Sequence, residues 1–461
     1  MTTSFGLFAT TALIAIASTL LAVAIGLPIG RWLHNLNGIS RRLFSAVLAL
    51  PFVMPPFLMA VSILPMQNQV DKHAQFGILW VVLTNAFMNI GFIARIVASL
   101  RISRSQIDAA KMDGAGPRRI FWSIEMPARF SSLSGAALIV ALYSATSYGI
   151  VLVLGRGLVQ TLETEIADAA LQRLDLNYAS FLALLQTVLT IALFGLSRMF
   201  RSEPSAVFGK IAVSHNKVSK FWGVVSWAFL FLIIALLGSV IVQGLGSNFP
   251  ESLGYLGSQG SRSVLNVTLV EAALNSLRNI CVTLLIASPI AWWLSGKRAS
   301  WILLLSGVSP VVFGLFALIG SGYLPRVISG SWLLLPFVQS LFLLPLLYQL
   351  FVPARQGLDN RMRESAQLDG ANWLQRTMQI EFPLLRKPIV TAVAFAALAG
   401  LGEFGAGSFL ALGDQTTLPV AMVRLLSRPG DENLQMAMLA GSFFILFAAF
   451  IVWLISSERE N

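Results

Sequence analysis

The sequence predicts an all-α polytopic membrane protein: two parallel repeats of a five-helix transmembrane core plus one extra helix, about 11 spans, N-out/C-in. Three observations predict it. The 461 residues are 56% hydrophobic and only 11% charged, where a soluble chain carries about a quarter of its residues charged. Apolar runs of about 20 residues recur along the chain, each long enough to cross a hydrocarbon core of roughly 30 Å as helix and too long for barrel strands. Finally, one polar segment occurs twice, 256 residues apart, without a gap.

The first half holds apolar runs near 5–30, 43–64, 77–98, 131–154 and 179–200. No charge precedes Arg31, so the first run lacks the basic leader of a signal peptide, and its short uncharged tail suits an outside start. Between the third and fourth runs lies the first polar segment, Asp108-Ala109-Ala110-Lys111-Met112-Asp113-Gly114, then Ile124-Glu125-Met126-Pro127. A basic linker, 201–220, follows the fifth run and reads as a solvated connector. The run 221–245 is the extra helix that returns the chain to the outside. The second half then repeats the order at 272–294, 300–320, 332–352, 389–411 and 434–455. Its first run is the least apolar, with Asn275, Arg278 and Asn279 inside it, and Glu271 and Arg278 share one helix face. The lone Cys281 excludes an internal disulfide and reads as a packed thiol. The second polar segment is Glu364-Ser365-Ala366-Gln367-Leu368-Asp369-Gly370, then Ile380-Glu381-Phe382-Pro383.

The repeat continues at the same offset: Tyr148-Gly149 parallels Phe404-Gly405, Thr161-Leu162 matches Thr417-Leu418, and Asn177 matches Asn433. Upstream the register slips, and Pro28-Ile29 with Trp32-Leu33 resembles Pro289-Ile290 with Trp293-Leu294. Domains follow as 1–200 (loop 99–130), the linker 201–220, and 221–461 (loop 353–388). The net charge of +11 needs no nucleic acid. With both polar loops placed inside, 24 of the 32 Lys and Arg fall on the inner side, as the positive-inside rule requires.

Each loop reads as helix–glycine–helix. Ile107, Ala110 and Met112 lie on a short helix, Gly114 supplies the left-handed residue that ends it, and Gly116 with Pro117 starts the next. In the second copy Gly370 is the stop and Asn372 the N-cap. Pro127 and Pro383 are expected to close the second helix. Small shared residues (Ala110 and Ala366, Ala115 and Ala371) leave room for a partner's close approach. Larger shared positions (Trp122 and Met378, Ile124 and Ile380, Met126 and Phe382) are expected to anchor the loop to the membrane helices.

This pattern resembles the permease subunits of binding-protein-dependent ABC importers, which carry Glu-Ala-Ala, three residues, Gly, nine residues and Ile-x-Leu-Pro. Both copies keep that spacing, with Asp108 for Glu, Ser365 for Ala, and Met126 and Phe382 for Leu. The resemblance, which covers nearly the whole chain, is to the fused permeases of the type I fold in the thiamine and ferric-iron group. Tyr148 to Gly155 and Gly402-Glu403-Phe404-Gly405 look closest to the thiamine branch. It implies a cell-membrane importer subunit with no catalysis or cofactor of its own. Two copies of a cytoplasmic ABC ATPase would bind ATP and Mg, and a periplasmic or extracellular solute-binding protein would deliver thiamine or a related small solute (ferric iron, polyamine). Coupling would fall to Asp108, Ala109, Ala110, Asp113, Gly114 and Ala115, and to Glu364, Ser365, Ala366, Asp369, Gly370 and Ala371. The chain has no motor, since neither Gly209-Lys210 nor Gly296-Lys297 sits in a phosphate loop.

An ionisable residue within a span marks a functional site by default. Glu403, in a glycine-rich run with Ser147 as its repeat partner, either draws a cationic substrate, supports a gate by bonding a neighbouring backbone, or is a structural bond between helices. Tyr143, Thr146, Ser147 and Tyr148 would line the pathway in the other half. The acidic helix carrying Glu163, Glu165, Asp168 and Asp175 is either a solvated surface helix or, as the resemblance implies, a platform for the binding protein. The rival class is an ATP-independent secondary transporter of parallel repeats, which has no need of two helix–glycine–helix loops. A membrane enzyme would have only His34, His73 and His215, without metal-ligand spacing.

Overall fold

Proline placement and lipid burial together shape the helices of this chain, seen here in a computed structural model. The structure describes residues 4–33, 36, 38–71, 75–100, 104–200, 220–246, 249–297, 299–325, 331–358, 360–428 and 430–457. The linker 201–220 lies outside them apart from Lys220, as do His34, His73 and His215. Among the described residues nine helices are long and apolar enough to span a membrane, and eleven spans result if two bent pairs count as one each. This is a multi-pass helical membrane protein. The chain divides into two compact units, Met1–Leu253 with Gln435–Ala449, and Gly254–Leu434 with Phe450–Asn461.

In the first unit, α1 (Ser4–Leu33) packs along α4 (Gly77–Ser99) and α7 (Met126–Ala145). Between them come α2 (Gly38–Val53) and α3 (Pro56–Val70). The run 43–64, read as one span, is bent by 94°. Pro55 holds extended backbone (φ −55, ψ 133) and Pro56 opens the next helix, so the pair of prolines stops one helix and seeds another. The run 131–154 is interrupted as well: α7 ends at Ala145 and a short α8 (Tyr148–Leu154) follows. Next are α9 (Leu162–Leu171), α10 (Leu176–Met199) and α11 (Lys220–Leu245), the last held by edge-on rings of Trp32, Phe44 and Trp227.

Helices approach closely where glycine removes the side chain, as lipid-embedded packing favours. A Cβ on Gly91 of α4 would lie 1.9 Å from the Leu48 carbonyl oxygen of α2, whereas one on Gly195 of α10 meets nothing within 4 Å. Gly91→Val should therefore cost about 1–3 kcal/mol or more by overpacking. Gly195→Val should stay within about 0.5 kcal/mol. Thermal unfolding in detergent reads the difference, and equal midpoints would refute the close contact.

α12 (Phe249–Gly254) closes the first stretch of the first unit, and the second unit contains α13 (Leu269–Ser295), a 3-10 stretch (Ser300–Gly307), α14 (Pro310–Ser321) and α15 (Leu334–Gln356). After them come α16 (Asn360–Leu368), α17 (Trp373–Arg376), α18 (Phe382–Leu401), α19 (Gly405–Leu410) and α20 (Leu418–Leu426), and then α21 (Asp431–Ser457), whose middle, Gln435–Ala449, belongs to the first unit. The run 300–320 bends by 92° where Ser309 caps α14 and Pro310 opens it. The run 389–411 breaks at 402–404.

Several polar residues of α13 find partners, although the Ser288 hydroxyl is buried without one among the described residues. Thr268 and Glu271 form a reciprocal capping box, Asn275 donates to the Asp414 and Thr416 carbonyls, and Arg278 sits 4.5 Å above the Trp332 ring. Cys281 is exposed on α13 rather than packed. Each unit ties the start of a short helix to its first long one. The Leu162 amide donates to Thr11 at 3.0 Å, and the Leu418 amide to Ser276 at 2.8 Å.

Candidate functional site

Both polar loops fold into the same elbow. In the first unit α5 (Arg104–Met112) runs to Gly114, whose φ of +77° is open to glycine at little cost. The Ala115 amide then reaches back to the Ala110 carbonyl at 2.8 Å, the long bond of a Schellman stop. In the second unit Gly370 has φ +78° and the Ala371 amide bonds the Ala366 carbonyl at 2.9 Å. Gly116 and Pro117 open α6 (Pro117–Ile120) in one copy. In the other, Asn372 and Gln375 cap α17 reciprocally at 2.9 Å in each direction.

The residues assigned to coupling are mostly surface. Asp108, Ala109, Asp113 and Gly114 are exposed, Ala110 and Ala115 half-buried; Glu364, Ser365, Asp369 and Gly370 are exposed, Ala371 half-buried and Ala366 buried. Lys111 and Asp108 lie 3.7 Å apart on the open surface, where an ion pair contributes little. The most telling side chains are Met112 and Leu368, 256 residues apart and 89% and 88% exposed. Each elbow thus leaves a large apolar group uncovered by the rest of the chain beside its glycine.

Pro127 and Pro383 do not close the second helix. A five-residue π turn, Phe121–Glu125 and Thr377–Glu381, leads straight into α7 and α18. The wider turn fits a proline near the start of the next helix, because it displaces the carbonyl that the ring would strike. Trp122, Met378 and Phe382 do not anchor the elbows either, being 66%, 58% and 49% exposed. Buried charge does that work. Glu125, 2% exposed, accepts from Arg31 Nε at 2.9 Å and Arg129 Nη1 at 2.8 Å. Glu381, 4% exposed, accepts from Arg355 Nη2 at 2.7 Å. Sequence reasoning passed over these carboxylates, although the same residue stands at the same motif position in both copies.

The pathway residues fall at the breaks after α7 and α18. Ser147 is buried, donates to the Ser144 carbonyl and accepts from Asn85 of α4 at 3.1 Å. Tyr148 is buried beside it, while Tyr143 is half-exposed with its ring 5.9 Å from Phe52. In the second unit the Glu403 carboxylate turns onto the start of α19, accepting from the Ala406 amide at 2.6 Å and the Gly407 amide at 3.3 Å. It is a buried cap on a short helix.

The acidic helix α9 is not one uniform face. Glu163 is 1% exposed and accepts from Gln186 of α10 at 3.0 Å, so its carboxylate is turned inward, away from any docking partner. Asp175 caps α10 through the Tyr178 amide. Glu165 is also mostly buried and holds Arg173, which lies 3.1 Å from Asp168; the bond to Glu165 raises the Arg173 pKa. Asp168 is the exposed member of the three. Among the described residues no group of three or more His, Cys, Asp or Glu is arranged to hold a metal.

Comparison with known proteins fits this geometry. Residues 22–200 match the family described as binding-protein-dependent transport system inner membrane component. The chain is 24% identical over 442 residues to a thiamine transport system permease protein of Brucella abortus (strain 2308), covering 89% of this chain and 80% of the relative. To the thiamine transport system permease protein of Haemophilus influenzae it is 23% identical, covering 97% and 87%. A putative 2-aminoethylphosphonate transport system permease protein of Salmonella typhi is 33% identical over 109 residues, 23% of this chain and 38% of the relative. No solved structure matches.

Proposed function

We propose that this chain, a permease of the binding-protein-dependent ABC importers, forms the membrane pathway for thiamine or a closely related solute and receives one cytoplasmic ATPase at each elbow. The carrying observation is the pair of elbows with matching backbone and an exposed apolar tip, Met112 and Leu368. A large apolar side chain held in water stabilises nothing in the chain itself, and at a contact surface such a group is the expected anchor. Both elbows then lie in the cytoplasm, and two ATPase copies serve one chain. Relatives that align along nearly the full length include thiamine permeases, which favours thiamine over the phosphonate relative with its short match. The exposed Asp168 on α9 belongs to the face offered to the solute-binding protein.

Reconstitution with the ATPase and binding protein encoded beside the gene tests this reading. Thiamine uptake should require both partners and ATP. Met112→Asp with Leu368→Asp should weaken ATPase retention about tenfold or more, as loss of an apolar anchor does. An assembly that retains no ATPase and takes up solute on an ion gradient alone would instead be a secondary transporter.

A further inference from the structure

Glu125 and Glu381 stand 256 residues apart, each the last residue of a π turn that joins an elbow to a long helix. Burying a carboxylate is costly unless cations meet it, so each is tied to arginine. The arginines come from different helices. In the first unit Arg31 lies in the last turn of α1, with Arg129 on α7 as second partner, and Arg31 also covers the Phe121 ring at 4.6 Å. In the second unit the register of Pro28 and Pro289 puts Trp292 where Arg31 would be. Arg355, from the last turn of α15, fills the gap: it donates to the Trp292 carbonyl at 2.9 Å and lies 4.8 Å over that ring. Its counterpart in the first unit, counted along two helices of 23 residues, is Ala98.

We propose that Glu125 and Glu381 are positioning residues of coupling, each clamping its elbow to a second spanning helix, α1 in the first unit and α15 in the second. The clamp rests on the reading of the elbows as ATPase docking sites. Every elbow displacement passes along the chain into α7 or α18, and through the carboxylate into α1 or α15. The two strokes therefore reach different sets of helices although the elbows match: α1 in the first unit, and in the second α15 together with α13, the counterpart of α1, through the bond from Arg355 to the Trp292 carbonyl. Both arginines also sit at helix C-termini, where a cation is favoured and the helix end is gripped.

The test uses the full chain reconstituted with its ATPase and binding protein, with thiamine as the probe. Glu125→Gln and Glu381→Gln, singly and together, should keep the ATPase bound and hydrolysing. Thiamine delivered per ATP should fall about tenfold or more, within the usual span of coupling effects. Unchanged delivery per ATP with ATPase retained would overturn the clamp. A wild-type chain that retains no ATPase would instead remove the docking reading beneath it. A second measurement does not depend on burying a lone arginine. In a Cys281→Ser background, Glu381→Cys with Arg355→Cys is bridged by a short bis-methanethiosulfonate, which forms one reducible disulfide to each thiolate with loss of methanesulfinate. Bridging should restore delivery per ATP and reduction should remove it. The reverse pattern, an idle bridged form and a fully coupled reduced form, would show that the two helices must part and would sink the proposal.

Discussion

Gly114→Val combined with Gly370→Val is expected to abolish ATP-driven uptake while the membrane bundle stays folded. Both glycines hold φ near +77°, a conformation that costs a residue with a Cβ about 1–2 kcal/mol, and a β-branched one more. A Cβ at either position meets no atom within 4 Å, so the penalty is confined to the backbone of the elbow and does not push on the helices. The strained elbow relieves itself by leaving the left-handed region, which breaks the Ala115 and Ala371 amide bonds and swings Met112 and Leu368 out of place. Uptake should drop about tenfold or more, the equivalent of ~1.4 kcal/mol lost in coupling. Asparagine, which tolerates that region, supplies the control: Gly114→Asn with Gly370→Asn should keep most of the uptake. Equal transport by the valine and wild-type chains would show that the elbow's shape is irrelevant to coupling.

The elbows were legible because their signal is local. Glycine at a left-handed stop and a cap two residues on both depend on neighbours in sequence, and two copies expose them; the uncovered apolar tips, Met112 and Leu368, emerge only from the fold. The spans were legible because a lipid solvent demands long apolar runs whatever their packing. Direction was not. Hydropathy averages over Pro55-Pro56 and over Ser309-Pro310, so two right-angle bends read as straight crossings. The same averaging hid the breaks at 146–147 and 402–404.

Burial of single charges escaped for another reason. Glu163 shares its helix with the exposed Asp168, and only the position of Gln186, 23 residues on, decides that it points inward. Apart from Arg129, four residues on from Glu125, the arginine partners of Glu125 and Glu381 lie at different offsets, 94 and 26 residues away, so no repeat arithmetic could pair them. What the sequence did carry was the identity of the two carboxylates at a motif position that the resemblance leaves free.

Glu403 separates a charge that serves the solute from a charge that serves the fold. Its two oxygens are already engaged by the Ala406 and Gly407 amides, which a helix as short as α19 leaves without acceptors. In the first unit the same place is held by Ser147, a neutral hydroxyl bonded to Asn85, so the fold there needs a polar group and no charge. Glu403→Ala strands two buried donors, at about 1–3 kcal/mol each. It should lower the unfolding midpoint in detergent and reduce uptake in proportion to the folded protein lost. Glu403→Gln keeps one acceptor oxygen and should cost only about 1 kcal/mol. If the carboxylate is a cap, uptake per folded molecule with Gln stays within about threefold of wild type, a shift of well under 1 kcal/mol in transport. If its charge draws a cationic solute, the Gln variant instead remains folded and loses uptake, with the deficit relieved at high thiamine. Because α19 is fixed by backbone amides on one side and by packing of Gly405 against Val311 on the other, the cap is the outcome the geometry favours.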